Sequence, residues 1–207
     1  MILRSLPHSP YARKVLVAAH ETGAIAKIEV IEAHVFDPDT PLRAENPVGK
    51  VPALVRDDGS VLYDSTVICE WLDICEGKFR LLPNADEARI QTLRRNALGD
   101  GLGLAATWNI RERYRPDGER SENYMAYYAA TMERCFAALE DEAGKIAETF
   151  DLGAISIACA LSYVDFRYPD LHWQRTAPIL AAWFEDVSGR SSMTATVLGP
   201  YTGPLSP

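Results

Sequence analysis

The chain has 207 residues, 47% hydrophobic and 24% charged, the balance of a soluble globular protein with one large or two small domains. Its net charge of −8 argues against a nucleic-acid binder, which presents a basic patch, and the basic cluster from Arg111 to Arg115 is broken by Glu112. No apolar run is long enough to span a membrane, and Met1–Leu6 lacks the pattern of a signal peptide, so the cytoplasm is the expected compartment, with no membrane partner.

Residues 2 to 6 read as a strand, and 11 to 22 as a helix closed by Gly23 in the left-handed position that ends many helices. Lys27 to Glu32 alternates with isoleucine and valine, the period of a strand. Residues 33 to 49 carry Pro38, Pro41 and Pro47 and read as a loop with room for one helical turn. Ala53–Val55 and Val61–Tyr63 flank Asp57-Asp58-Gly59-Ser60, a hairpin turn. Ser65 to Glu76 returns to helical spacing, with Val67, Ile68, Trp71, Leu72 and Cys75 on one face. The order β-α-β-loop-β-β-α makes an α/β unit whose first two strands run parallel and whose last hairpin is antiparallel.

After Leu81-Leu82-Pro83 no strand is predicted before residue 188. One long helix is marked by Ile90, Leu93, Ala97, Gly101, Leu104 and Trp108. A second, capped by Ser121, is marked by Met125, Tyr128, Met132, Cys135, Phe136, Leu139 and Ile146. Asp151 caps a third, strongly apolar helix reaching about Phe166, and Pro178 to Val187 form a fourth. The tail from Gly189, rich in Gly, Pro, Ser and Thr, reads as irregular. The expected fold is α/β plus all-α: residues 1–78, a linker at 79–84, and a helical bundle over 85–207. The four cysteines form no CxxC and no ligand spacing with the histidines, so no metal is expected. Cys69, Cys135 and Cys159 lie in apolar helices and read as small buried side chains.

Three motifs carry a family resemblance: Ser9-Pro10-Tyr11-Ala12-Arg13-Lys14, Asn46-Pro47-Val48-Gly49-Lys50-Val51-Pro52, and Asp64-Ser65. Together they resemble the cytosolic glutathione transferases over essentially the whole chain. The match is closest to a bacterial glutathione-transferase-like group, and the Ser-Pro-aromatic motif is also similar to the plant tau class. The resemblance implies a thioredoxin-like first domain, a helical second domain, glutathione as co-substrate and a homodimer. It also implies conjugation of the glutathione thiolate to small electrophiles, the chemistry of detoxification. That family begins its buried helix with Ser or Thr followed three residues later by Asp. Here Asp151-Leu152-Gly153-Ala154 has alanine where the acid stands, a difference that bears on folding.

A free thiol ionises at about pH 8.5, so a transferase must stabilise the thiolate, by roughly 1.4 kcal/mol for each unit of lowered pKa. Ser9, at the start of the first helix, is the expected donor to the sulfur, with His8 and Tyr11 as neighbours able to take that role. The same position equally suits a plain helix cap. Some classes, omega among them, have cysteine there, so serine removes any mixed-disulfide chemistry. Pro52 sits at the first residue of a strand, where a missing N–H costs nothing. The resemblance implies a cis Val51–Pro52 bond that turns the Val51 backbone toward glutathione as an added strand. Asp64 and Ser65 match the γ-glutamyl ammonium and carboxylate, or simply cap a helix. Lys50 pairs with the glycine carboxylate or is a solvated surface charge. Tyr11, Trp108, Arg111 and Tyr114 are the expected lining for the second substrate, and Asp100 either reaches a partner's ligand or faces solvent. Glycines 99, 101 and 103 point to close packing, against a second subunit or within the chain. A glutathione-dependent isomerase or peroxidase needs the same activated sulfur. A non-catalytic interaction protein is the alternative from a different class.

Overall fold

The structure, a computed structural model, describes residues 1–76 and 81–200; part of the expected linker and the last seven residues lie outside them. Contacts divide the chain into two units, Met1–Arg89 together with the segment from Ser191 on, and Ile90–Arg190.

The first unit runs β1 (Ile2–Ser5), α1 (Pro10–Thr22), β2 (Glu29–Glu32), α2 (Leu42–Glu45), β3 (Ala53–Val55), β4 (Val61–Leu62) and α3 (Ser65–Glu76). The sheet order is β2-β1-β3-β4, with β1 and β2 parallel and both other pairs antiparallel. Leu3 and Leu54 are cross-strand partners on the central strands, and both are fully buried, as are Val15 of α1 and Ile68 and Leu72 of α3. Gly23 ends α1 at φ 82°, where a Cβ would be strained. β2 forms the sheet edge, so its alternation does not bury one face: Val30 stays 46% exposed. The Pro-rich loop is held by Arg43, whose guanidinium donates to the carbonyls of Val35 and Asp37.

In the helical unit, α4 (Asp86–Arg113, in this unit from Ile90) is joined by α5 (Glu122–Ile146), α6 (Leu152–Arg167) and α7 (Pro178–Ser188). The apolar stripe predicted for α4 is not its buried face. Ile90 is 56% and Trp108 41% exposed, whereas Thr92, Asn96, Gly99, Leu102, Gly103, Ala106 and Asn109 are buried. The reason is close helix packing. A Cβ on Gly99 would stand 2.7 Å from the Ile157 nitrogen, and one on Gly153 2.8 Å from the Arg95 Cβ. Gly99 therefore admits α6 of the same chain, while Gly101 has nothing within 4 Å. Buried polar groups on this face are paired, as they must be. Half-buried Asp100 accepts from Ser156 Oγ at 2.9 Å and Asn96 Nδ2 at 3.1 Å, and so ties α4 to α6.

Asp151 caps α6 through the Ala154 N–H at 3.0 Å, and its second oxygen accepts from Thr92 Oγ1 at 2.8 Å and Thr149 Oγ1 at 3.2 Å. Two threonine hydroxyls thus brace the cap in a chain that has alanine at position 154. Ser121 caps α5 as expected. α7 has no cap of its own residues; the Glu140 carboxylate of α5 accepts from the Ile179 and Leu180 N–H groups. Cys69, Cys135 and Cys159 are buried, and burial pushes the Cys135 thiol up, which keeps it protonated and inert.

After Arg190 the chain turns back to the first unit. Its short helix α8 (Ser191–Thr194) packs on α1, and the Gly199 N–H donates to the Pro7 carbonyl at 3.0 Å.

Candidate functional site

Strand register brings the three motifs to one edge of the first unit. Arg4 pairs with Ala53 in antiparallel β1 and β3, so β1 ends where β3 begins, and Pro52 lies beside that end. β4 runs antiparallel to β3 with Leu62 opposite Leu54, so it too ends at this edge and leads into Asp64. The Ser9 turn, the Val51–Pro52 step and the Asp64–Ser65 step therefore share the edge at which α1 and α3 begin. A direct bond confirms that these helix starts are neighbours: Lys14 Nζ donates to Thr66 Oγ1 at 3.3 Å. The positive dipole ends of two helix N-termini and the nearly inaccessible Lys14 ammonium (1% exposed) make this edge attractive to anions.

Ser9 is buried, has extended backbone (φ −85°, ψ 118°), and caps α1 by accepting from the Ala12 N–H at 3.2 Å. Pro10 follows at the first helical position, where no amide is needed. A hydroxyl has one donor as well as two acceptor sites, so capping leaves the Ser9 O–H proton able to donate elsewhere. Cap and thiolate donor are compatible roles for one side chain. Tyr11 and His8 are half-buried beside it.

The Val51–Pro52 bond is cis, as the resemblance implies. The loop before it is ordered by Asn46, whose buried amide donates to the Lys50 carbonyl at 2.8 Å and accepts from the Val48 N–H at 3.0 Å. Lys50 is exposed. Asp64 caps α3, accepting from Thr66 N at 3.0 Å and Val67 N at 3.4 Å; it is exposed, while Ser65 behind it is buried. The structure thus brings Ser9, Val51, Pro52, Asp64 and Ser65 to one edge of one unit. The expected second-substrate residues Trp108, Arg111 and Tyr114 belong to the helical unit. There the Arg111 guanidinium lies 5.5 Å from the Trp108 ring centre, and Tyr114 is exposed.

Three side chains of the quoted motifs had no role assigned from sequence: Arg13, Lys14 and Asn46, all buried. Arg13 and Lys14 fall at helical spacing with Pro10 and Val17, on the inward face of α1, which marks them as buried cations. Among the described residues no group of three His, Cys, Asp or Glu side chains is arranged to hold a metal, and no helix is long and apolar enough to cross a membrane.

The sequence matches two family models, the glutathione S-transferase N-terminal domain over residues 8–74 and the C-terminal domain over 80–186. An uncharacterized GST-like protein of Escherichia coli, YibF, is 29% identical over 191 residues, spanning 91% of this chain and 94% of that one. A glutathione transferase family member from Pseudomonas fluorescens, solved with bound glutathione, is 40% identical with a TM-score of 0.92, covering 96% of this chain and 99% of its own. A glutathione S-transferase from Methylobacillus flagellatus, also with glutathione bound, is 33% identical with a TM-score of 0.90, covering 95% and 98%. With both domain models matched in order, this chain belongs to the glutathione S-transferase family.

Proposed function

We propose that the protein is a cytoplasmic glutathione S-transferase that joins the glutathione thiolate to small electrophiles. The Ser9 hydroxyl donates to the sulfur and stabilises its ionised form; it attacks nothing itself. The thiol proton leaves to solvent, the sulfur lone pair forms a C–S bond, and the electrophile's leaving group departs with its electron pair. Val51 pairs its N–H and C=O with the cysteinyl backbone beside cis-Pro52, Asp64 takes the γ-glutamyl ammonium, and Ser65 takes the γ-glutamyl carboxylate. Lys50 takes the glycine carboxylate. Tyr11, beside Ser9 in the first unit, provides aromatic surface for the electrophile.

The observation that carries this reading is the convergence of the three motifs at one anion-favouring end of the strands, set by strand register. Both relatives crystallised with glutathione support it. The domains divide at 79–84, and the working form is a homodimer. Exposed apolar side chains in each unit, Val48, Val67 and Ile74 in one and Ile90, Leu104 and Trp108 in the other, favour an interface.

Retention on immobilised glutathione, with elution by the free tripeptide, tests the binding. A conjugation assay with a chloronitroaromatic then tests turnover. Binding and turnover are expected together; binding without turnover moves the reading to a non-catalytic interaction protein.

A further inference from the structure

We propose that residues Ser192–Gly199 act as a strap that fixes the Pro7–Ser9 turn, and that Arg13 is a positioning residue for the Ser9 hydroxyl through that strap. The inference rests on the role given to Ser9 above and deepens it.

The strap runs antiparallel to α1 and is bonded to the first unit at three places. Near the far end of α1, Ser192 Oγ donates to Glu21 Oε1 at 2.6 Å. In the middle, the Arg13 guanidinium, 7% exposed, donates from Nη2 to the Met193 carbonyl at 3.0 Å and from Nε to Thr196 Oγ1 at 3.4 Å. Thr196 Oγ1 donates onward to the Ser192 carbonyl at 2.8 Å, which closes the strap on itself. At the near end the Gly199 N–H donates to the Pro7 carbonyl at 3.0 Å. A Cβ added at Gly199 would come within 3.1 Å of the Pro7 Cβ, so the two backbones meet closely.

Ser9 lies between two of these anchors. Pro7 is two residues before it, and Arg13 is one helical turn after it, with the Arg13 N–H bonded to the Ser9 carbonyl at 3.0 Å. One backbone bond closes the turn, Ser9 N–H to the Leu6 carbonyl at 3.0 Å, and Pro7 has no N–H to give. A hydrogen bond to a developing thiolate depends steeply on donor placement, and fractions of an ångström decide it. A buried guanidinium is retained only where its donors find acceptors, and the Met193 carbonyl and Thr196 hydroxyl of the strap are two of them for Arg13.

The test is the ultraviolet thiolate titration of the glutathione complexes of wild type, Gly199→Ala, Arg13→Gln and Arg13→Lys, with glutathione affinity from calorimetry. Gly199→Ala displaces Pro7 without touching the core or any glutathione-binding residue. It is expected to raise the bound-thiol pKa by about one unit, a tenfold loss of thiolate, with affinity within about twofold of wild type. Arg13→Gln shifts the titration in the same direction, and Arg13→Lys, which keeps one charged donor, restores part of it. A purely structural strap lowers the melting temperature and leaves the titration unmoved. Should Arg13→Gln fail to fold, Gly199→Ala still decides the matter. A wild-type pKa depressed below that of free glutathione, with Gly199→Ala matching it, overturns the strap alone. A wild-type complex that titrates like free glutathione overturns the role of Ser9 and the strap with it.

Discussion

Replacing Ser9 by alanine and, separately, by glycine separates the two things its side chain does. The hydroxyl oxygen caps α1 by accepting from Ala12 N–H at 3.2 Å, so Ser9→Ala costs about 1 kcal/mol of stability, whereas glycine at a helix N-cap costs only a few tenths. Both variants lose the O–H donor equally. A hydrogen bond to a charged group contributes roughly 1.5 to 3 kcal/mol, which at about 1.4 kcal/mol per unit raises the bound-thiol pKa by about one to two units. Below that pKa, turnover at saturating glutathione falls about 10- to 100-fold in both variants. Urea denaturation and steady-state kinetics at about pH 6.5 read the two effects independently. The expected pattern is equal loss of kcat in both variants and clear destabilisation in alanine alone. A glycine variant that turns over like wild type would refute the assignment of Ser9 as more than a cap.

Ser65→Ala removes a contact to the non-reacting end of glutathione, so calorimetry should show affinity falling about tenfold while kcat stays near wild type. Asp64→Asn keeps an oxygen for the Thr66 N–H but not the charge, and should behave likewise with an unchanged melting temperature. Asp151→Ala removes a cap worth about 1 kcal/mol and strands the buried Thr92 hydroxyl at about 1–3 kcal/mol more; urea unfolding should lose roughly 2–4 kcal/mol, and Asp151→Asn less. Burial pushes the Asp165 carboxyl above its ordinary range, against the pull of N–H donors on Trp173 and Gln174. The folded state then binds the extra proton, so its stability declines as pH rises from the ordinary carboxylate value through the raised one. Asp165→Asn keeps the acceptor and removes that decline; a melting-temperature difference that does not grow between about pH 4 and 7 would contradict this. Light scattering at micromolar concentration should give twice the 22.9 kDa chain mass; the single mass removes the homodimer.

Local chemistry carried most of the fold in this chain. The Asp57–Ser60 turn, the Gly23 stop, and the Ser121 and Asp151 caps are short-range signals, and each lies where it was expected. The face of α4 was not legible, because its buried side is built from Thr92, Asn96, Gly99 and Asn109. A reading weighted by Leu, Ile and Trp turns those residues outward. Their burial depends on Gly99 and Gly153 admitting the α6 backbone and on hydroxyl and amide partners from another helix, none of which has a local period. The strap was invisible for the same reason: Arg13 meets Met193 across 180 positions, inside a segment whose composition reads as irregular. Ser9 and Asp64 were legible as helix starts, and because helix caps and anion sites favour the same residue types, sequence alone could not tell the two roles apart. Asn46 was visible only as part of a motif; its hold on the Lys50 carbonyl is a loop geometry.

The claim that the site at the strand ends ionises a bound glutathione thiol is tested most directly by the pH profile of thioether formation at saturating glutathione with a chloronitroaromatic acceptor. The account predicts a rate well above the uncatalysed reaction that reaches its plateau with a midpoint below the roughly 8.5 of a free thiol. A rate that follows the ionisation of free glutathione, or none above background, would contradict it.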